Sequence, residues 1–274
     1  MDLDGKVAIV TGASRGVGAA TAVLLAERGC KVVCAARATD AAPVPIPGTI
    51  DETVRRITDA GGSALAVPTN LAKEAEVEHM VAATVDRFGP VDILVNNAAI
   101  TFPGDLDLDM KRFDLLMNVD LRAPLQTIRA VMPSMKQRRS GSILNISSIA
   151  GLNYFPGLMA YGMAKAALEH LTVSAAYQLK PFDVAVNCFR IDVPVASEGF
   201  LFNLPDADHS DWEPSEVAAE GIVWVLEQPP SYTGHNIGMA RLRDEQGIMA
   251  SRSERPHTQM GRVVTDTHLQ GPPS

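Results

Sequence analysis

The sequence predicts an α/β fold: a single doubly wound, seven-stranded parallel sheet with helices on both faces. Three observations predict it. Short apolar runs recur along the 274 residues, they alternate with longer amphipathic stretches, and the first run ends in a glycine-rich turn leading straight into a helical pattern. The runs are continuously apolar rather than alternating, which suits strands buried on both faces of a parallel sheet.

In chain order, strands are expected over residues 7–10, 32–35, 64–67, 93–95, 143–146, 184–188 and, more weakly, 235–239. Helices are expected over 19–28, 50–60, 73–88, 110–137, 161–179 and 214–226. Gly29 and Gly89 stand just past the first and third helices, where a stop signal belongs. Residues 38–49 carry Pro43, Pro45, Pro47 and Gly48 and read as a surface loop. Residues 251–274 are polar, lack periodicity and end in Gly-Pro-Pro-Ser. They read as a flexible tail, with an arm onto a partner subunit as the alternative.

Composition narrows the function classes. Hydrophobic residues at 46% and charged residues at 20% describe a globular chain. Lys plus Arg number 24 against 32 Asp plus Glu, a net charge of −8. That balance predicts no nucleic-acid partner and no adhesion to a membrane surface. Cys30, Cys34 and Cys188 are too few for a disulfide framework, and they read as core residues in a reducing compartment. No apolar run reaches the ~18 residues of a membrane span. The N-terminal Met1-Asp2-Leu3-Asp4-Gly5-Lys6 does not resemble a signal peptide. The expected setting is cytoplasmic. The six histidines have no metal-ligand spacing, so no metal site is expected.

The glycine turn is Thr11-Gly12-Ala13-Ser14-Arg15-Gly16-Val17-Gly18. Gly12 suits a sharp turn, Gly16 a close approach of backbone to a pyrophosphate, and Gly18 tight packing of helix on sheet. The helix N-terminus adds free N–H groups and the positive end of a dipole. Ser14, Arg15 and Val17 fall within the same cradle, which marks a Rossmann-type nucleotide site. The end of the second strand carries Arg37 where an acidic residue would select NAD. Arg15 and Arg37 together suit a phosphate dianion, so NADP(H) is favoured, and NAD(H) stays open as the alternative.

Tyr161 and Lys165 stand four apart at the start of a helix, hence on one face. A phenol titrating near pH ~10 is a poor acid–base group at neutrality. A neighbouring ammonium, helped by an oxidised nicotinamide, is expected to lower it toward the working range. Ser148 ends the fifth expected strand, at the edge where such sheets bind ligands, and is placed to hydrogen-bond a substrate carbonyl.

With these residues the chain resembles the classical short-chain dehydrogenase/reductases over roughly residues 4–240. Thr11–Gly18 is similar to their cofactor turn, and Asn96-Asn97-Ala98-Ala99 to their Asn-Asn-Ala-Gly segment. Asn118, in Met117-Asn118-Val119, falls where that family has its catalytic asparagine, and Ser148, Tyr161 and Lys165 complete a tetrad. The resemblance implies that Tyr161 donates or accepts the proton and Ser148 orients the carbonyl oxygen. It implies that Lys165 holds the nicotinamide ribose, and that Asn118 holds a water in a relay behind Lys165. Cofactor contacts are implied for Asn97, Ala98 and Ala99, for Asn70 and Leu71 near the adenine, and for Ile191 and Val193 beside the nicotinamide.

The sequence departs from the family pattern in places. Asn70 replaces an aspartate, and its amide oxygen is expected to accept from the adenine amino group. After the sixth strand, Ile191-Asp192 replaces Pro-Gly, which brings a charge near the site, and Ser197 stands in for a threonine. The loop at 38–49 is similar to an insertion in the subgroup of hydroxysteroid dehydrogenase-like and terpenoid-alcohol dehydrogenases.

The expected organisation is one dinucleotide-binding and catalytic domain over 1–250, with a substrate lid at 194–212. The lid carries Phe200, Leu201, Phe202, Leu204 and Trp212, and Phe155, Leu158 and Met159 are candidates to line the same pocket. A hydrophobic ketone, aldehyde or alcohol is therefore the expected substrate. The expected activity is NADP(H)-dependent interconversion of carbonyl and alcohol. Two alternatives stay open, a 3-oxoacyl reductase and a non-catalytic nucleotide-binding regulator. Broad apolar faces on the helices at 110–137 and 161–179 predict a homodimer or homotetramer.

Overall fold

The computed structural model describes residues 1–203 and 205–255. Its sheet has seven parallel strands in the order β3-β2-β1-β4-β5-β6-β7. They are β1 (Val7–Thr11), β2 (Lys31–Ala36), β3 (Ser63–Pro68), β4 (Ile93–Asn96), β5 (Gly141–Ser148), β6 (Val184–Ile191) and β7 (Asn236–Gly238). The order reverses between β1 and β4, and the crevice beyond their C-terminal ends is where doubly wound sheets take ligands.

The continuous apolar strands divide their side chains between two cores. Ala8, Val10, Val32, Cys34 and Val95 face α1 (Gly16–Glu27), α2 (Ile50–Asp59) and α8 (Ser215–Glu227). Ile9, Val33, Leu94, Ile143 and Val186 face α3 (Glu74–Phe88), α5 (Ala123–Arg138) and α6 (Met159–Leu179). Successive side chains point to opposite faces, so a strand covered on both sides needs an apolar residue at every position. Cys30, Cys34 and Cys188 are buried and unpaired. Among the described residues no helix is long and apolar enough to cross a membrane.

Several elements differ from expectation. The helix expected over 110–137 is two helices, α4 (Met110–Met117) and α5, joined by a π turn at Asn118–Arg122. Pro124 has no N–H to give to the carbonyl four residues back, and Ala123 N bonds five back to Asn118 O. Two short helices are added: α7 (Glu198–Asn203) in the lid and α9 (Met239–Gln246) after β7. Residues 38–49 form neither helix nor strand, as the prolines predict. The tail is outside the described residues beyond Arg255, but its start is held against the lid. Arg252 N donates to Glu213 at 2.7 Å and Arg255 N to Ser210 O at 3.0 Å.

Candidate active site

The strand ends, the glycine turn and the lid enclose a cleft of about 470 Å³. Of the residues singled out in the sequence, Gly12, Ser14, Arg15, Gly16, Val17, Gly18, Arg37, Asn70, Leu71, Asn97, Ala98, Ala99, Ser148, Tyr161, Lys165, Ile191 and Val193 all line it. Asn118 does not. It begins the π turn, and its neighbour Val119 reaches the cleft instead.

The cradle depends on missing side chains. Gly12 has φ +68°, and a Cβ there would meet Ala98 Cα at 2.8 Å. A Cβ on Gly18 would lie 2.3 Å from Gly12 O and 2.4 Å from Asn97 Nδ2. The turn and the β4 end are stitched through Thr11, whose hydroxyl accepts from Asn97 N at 3.0 Å and Ala98 N at 3.1 Å. The Asn97 amide donates to Thr11 O at 2.9 Å. Beneath them Asn96 Nδ2 donates to Asn145 at 2.9 Å, and Asn145 to Thr172 at 2.9 Å, a buried polar chain from β4 through β5 to α6. Thr11, Asn145 and Thr172 carry no sequence signal of this role, because their partners lie far along the chain.

Two guanidiniums stand at the mouth. Arg15 donates to Pro47 O and Gly48 O at 2.7 Å each, which anchors the proline loop to the glycine turn. Val44 and Ile46 of that loop become part of the cleft wall. Burial holds Arg15 below its ordinary pKa, Glu198 opposes this, and Arg37 adds to it. Arg37 is exposed. The Asn70 amide oxygen accepts from Ala72 N at 3.1 Å, an Asx turn that engages the oxygen expected to meet adenine.

Tyr161 and Lys165 are both buried on one face of α6. The Lys165 Nζ lies 5.4 Å from the Tyr161 ring centroid and donates to Ile146 O at 2.9 Å. The Tyr161 phenol sits above its ordinary value rather than below it. Burial is the largest cause; Lys165 pulls the phenol down, Asp120 pushes it up, and a hydrogen bond with Ser148 pulls it down. The ammonium acts in the expected direction and is outweighed by loss of water.

The departure at Ile191-Asp192 has a structural account. Asp192 is absent from the cleft lining, and its carboxylate accepts from Ala240 N at 2.8 Å, in the first turn of α9. The charge expected near the site is thus spent on a helix start. Just before Ile191, Arg190 forks onto Glu169 at 2.7 and 2.5 Å, and Ser147 donates to the same carboxylate at 2.8 Å. This buried pair fixes the end of β6 to α6.

The lid closes over the cleft by its first residues. Glu213 N donates to Pro194 O and Ala196 N to Glu213 O, both at 2.8 Å. The Glu213 carboxylate accepts from Arg243 at 2.7 Å. At the far end of α7, Asn203 donates to Thr101 at 3.1 Å. Phe200 lines the cleft and meets Trp212 edge-on at 5.9 Å, whereas Phe202 is exposed. Leu204 lies outside the described residues. Phe155, Leu158 and Met159 lie off the cleft; Phe155 and Leu158 pack with Leu116 and Ala160 instead.

A parallel switch-point crevice with a glycine cradle and a buried Tyr–Lys pair defines a dinucleotide-binding α/β protein. Comparison with known proteins makes the class specific. A family model described as short chain dehydrogenase matches residues 6–193, and the chain belongs to that family, whose members use a nicotinamide cofactor. Hydroxysteroid dehydrogenase-like protein 2 of Bos taurus is 33% identical over 251 residues, 90% of this chain and 59% of that protein. The same protein of Homo sapiens is 31% identical over 249 residues, again 90% and 59%. The chain thus spans about three-fifths of these relatives' length. Among solved structures, one from Xanthomonas campestris superimposes with a TM-score of 0.82 at 31% identity, covering 93% of this chain and 96% of that one. A metagenomic short-chain oxidoreductase in complex with NADP gives 0.72 at 29%, covering 86% and 98%.

Proposed function

We propose that the chain is an NADP(H)-dependent oxidoreductase that interconverts a ketone or aldehyde and an alcohol on a hydrophobic small molecule. The observation that carries this reading is one cleft shared by a side-chain-free phosphate cradle, two guanidiniums and the Ser148–Tyr161–Lys165 set. The cradle suits a dinucleotide: Gly12 and Gly18 let the turn pack against the β4 end, where Cβ atoms would collide, and this brings the start of α1 to the cleft. Gly12 through Gly18 would hold the pyrophosphate, Arg15 and Arg37 the 2′-phosphate, and Ile191 and Val193 the nicotinamide face.

A bound nicotinamide supplies or takes the hydride at the substrate carbon. The protein supplies the proton and the orientation. The Ser148 hydroxyl donates to the carbonyl oxygen and fixes its position, and the Tyr161 phenol gives that oxygen its proton in the reductive direction. In the oxidative direction the same phenolate takes the proton back. Lys165, tethered through Nζ to Ile146 O, stabilises the negative charge on that phenol. Phe102, Leu115, Val119 and Phe200 provide an apolar wall that supports an apolar substrate.

Outward apolar side chains on α5 and α6, Leu125, Val173 and Tyr177, support a homodimer or homotetramer through that face. The three buried thiols support a reducing, cytoplasmic setting.

The test uses purified protein with NADPH or NADH and a panel of apolar ketones, followed at the nicotinamide absorbance. Tyr161→Phe is expected to lose about 10²–10⁴ of the rate while still binding NADPH. Unchanged turnover in that variant would refute the assignment of Tyr161, and failure to bind either nucleotide would refute the whole reading.

A further inference from the structure

Asp120 is a buried carboxylate that the proposed chemistry leaves unused, on the π turn that packs against α6, the helix of the reacting pair. Its side chain is wholly buried. Its Oδ1 accepts from Ile100 N at 2.9 Å. Its Oδ2 is buried without a hydrogen-bond partner. The other buried carboxylates among the described residues are satisfied differently: Glu169 takes Ser147 and the Arg190 fork, and Glu213 takes Arg243 and the Arg252 amide. A buried ion with one oxygen unpartnered by protein is costly unless nearby charge or a bound proton relieves it.

The groups that face Asp120 are few. From α6 come the Lys165 ammonium and the Tyr161 phenol, and from the segment after β4 comes the neutral Ile100 amide. Among the described residues, no charged group on α4 or α5 enters its balance. Burial pushes its carboxyl up to about 7, with Lys165 and the Ile100 N–H pulling back.

We propose that Asp120 is a positioning residue whose carboxylate adds to burial in holding the Tyr161 phenol protonated, so that the Tyr161–Lys165 pair keeps its proton-donating form to higher pH. The physical basis is charge: a carboxylate near the pair opposes formation of a phenolate, and among the described residues no side chain donates to its Oδ2. Asp120 touches no reacting atom and acts through Tyr161 and Lys165. The inference rests on the proposed role of Tyr161, but its primary readout does not require turnover.

The experiment titrates Tyr161 in the full chain without substrate, by near-ultraviolet phenolate absorbance, with Tyr161→Phe identifying the band. Asp120→Asn is expected to lower the Tyr161 midpoint by about one pH unit or more. It should move the alkaline limb of the reduction pH profile down by the same amount while thermal stability is kept. If Asp120→Asn does not fold, Asp120→Ser removes the charge and keeps a small acceptor near the Ile100 amide. An unchanged midpoint in the folded variant overturns the proposal, even if turnover falls. A shifted midpoint in a protein with no activity on any ketone upholds the Asp120–Tyr161 coupling and refutes the proposed reaction instead.

Discussion

Arg37 is an exposed guanidinium at the end of β2, and its value lies in what it meets when a 2′-phosphate is present. A charge-assisted hydrogen bond contributes about 1.5–3 kcal/mol, so Arg37→Asp is expected to weaken NADPH by roughly 10- to 100-fold and leave NADH nearly unaffected. Equal losses for both nucleotides, measured by fluorescence titration, would remove Arg37 from the phosphate site. Asp120 makes a second prediction, on stability. Its carboxyl rises from 3.8 to about 7 on folding, so the folded state binds the extra proton between those values. Stability from this source is complete below pH ~4 and is lost as pH rises through ~7, by a few kcal/mol. Urea denaturation at stepped pH should show that fall in the native chain and not in Asp120→Asn. Such residues differ in legibility. Arg37 is placed at the cleft by its position just after a strand, which the sequence shows, whereas Asp120 becomes distinctive only through burial and the packing of its turn on α6.

Between elements, the end of β6 is the informative place. Proline and glycine are missing there, and the strand is instead fastened by the Arg190–Glu169 fork to α6 and by Asp192 to the start of α9. Removing one partner of a buried ion pair leaves the other uncompensated. Glu169→Gln is therefore expected to destabilise the protein by about 3–5 kcal/mol. A denaturant midpoint within error of the native value would show that Arg190 finds water or another partner. The sequence points to a departure at Ile191-Asp192, but the charge goes to a helix start rather than the site, since α9 is a short polar helix with a weak periodic signal. The π turn was hidden for a related reason. Apolar spacing runs through residues 110–137, and only the missing N–H of Pro124 hints that the helix changes register there.

At the scale of the molecule, α6 presents Val173 and Tyr177 one turn apart, 46% and 84% exposed. Apolar groups on the outer face of a long helix favour self-association. Sedimentation is expected to report a dimer or tetramer, and Val173→Asp with Tyr177→Asp should shift it toward monomer. A native chain that sediments as a monomer at micromolar concentration would exclude this interface.

The sequence by itself determined the sheet class, the glycine turn and the placing of Tyr161 and Lys165 on one helix face. Those features are local: a glycine triplet after a strand, a Tyr and a Lys four apart, and apolar runs too short for helices. Only the tertiary structure decided the desolvation of the Tyr161 phenol, the route of the Asp192 charge, the seating of the proline loop on Arg15 and the burial of Asp120. Each of these depends on desolvation and on partners dozens of residues away. Free energies of that kind are set when the chain closes, and periodicity carries no record of them.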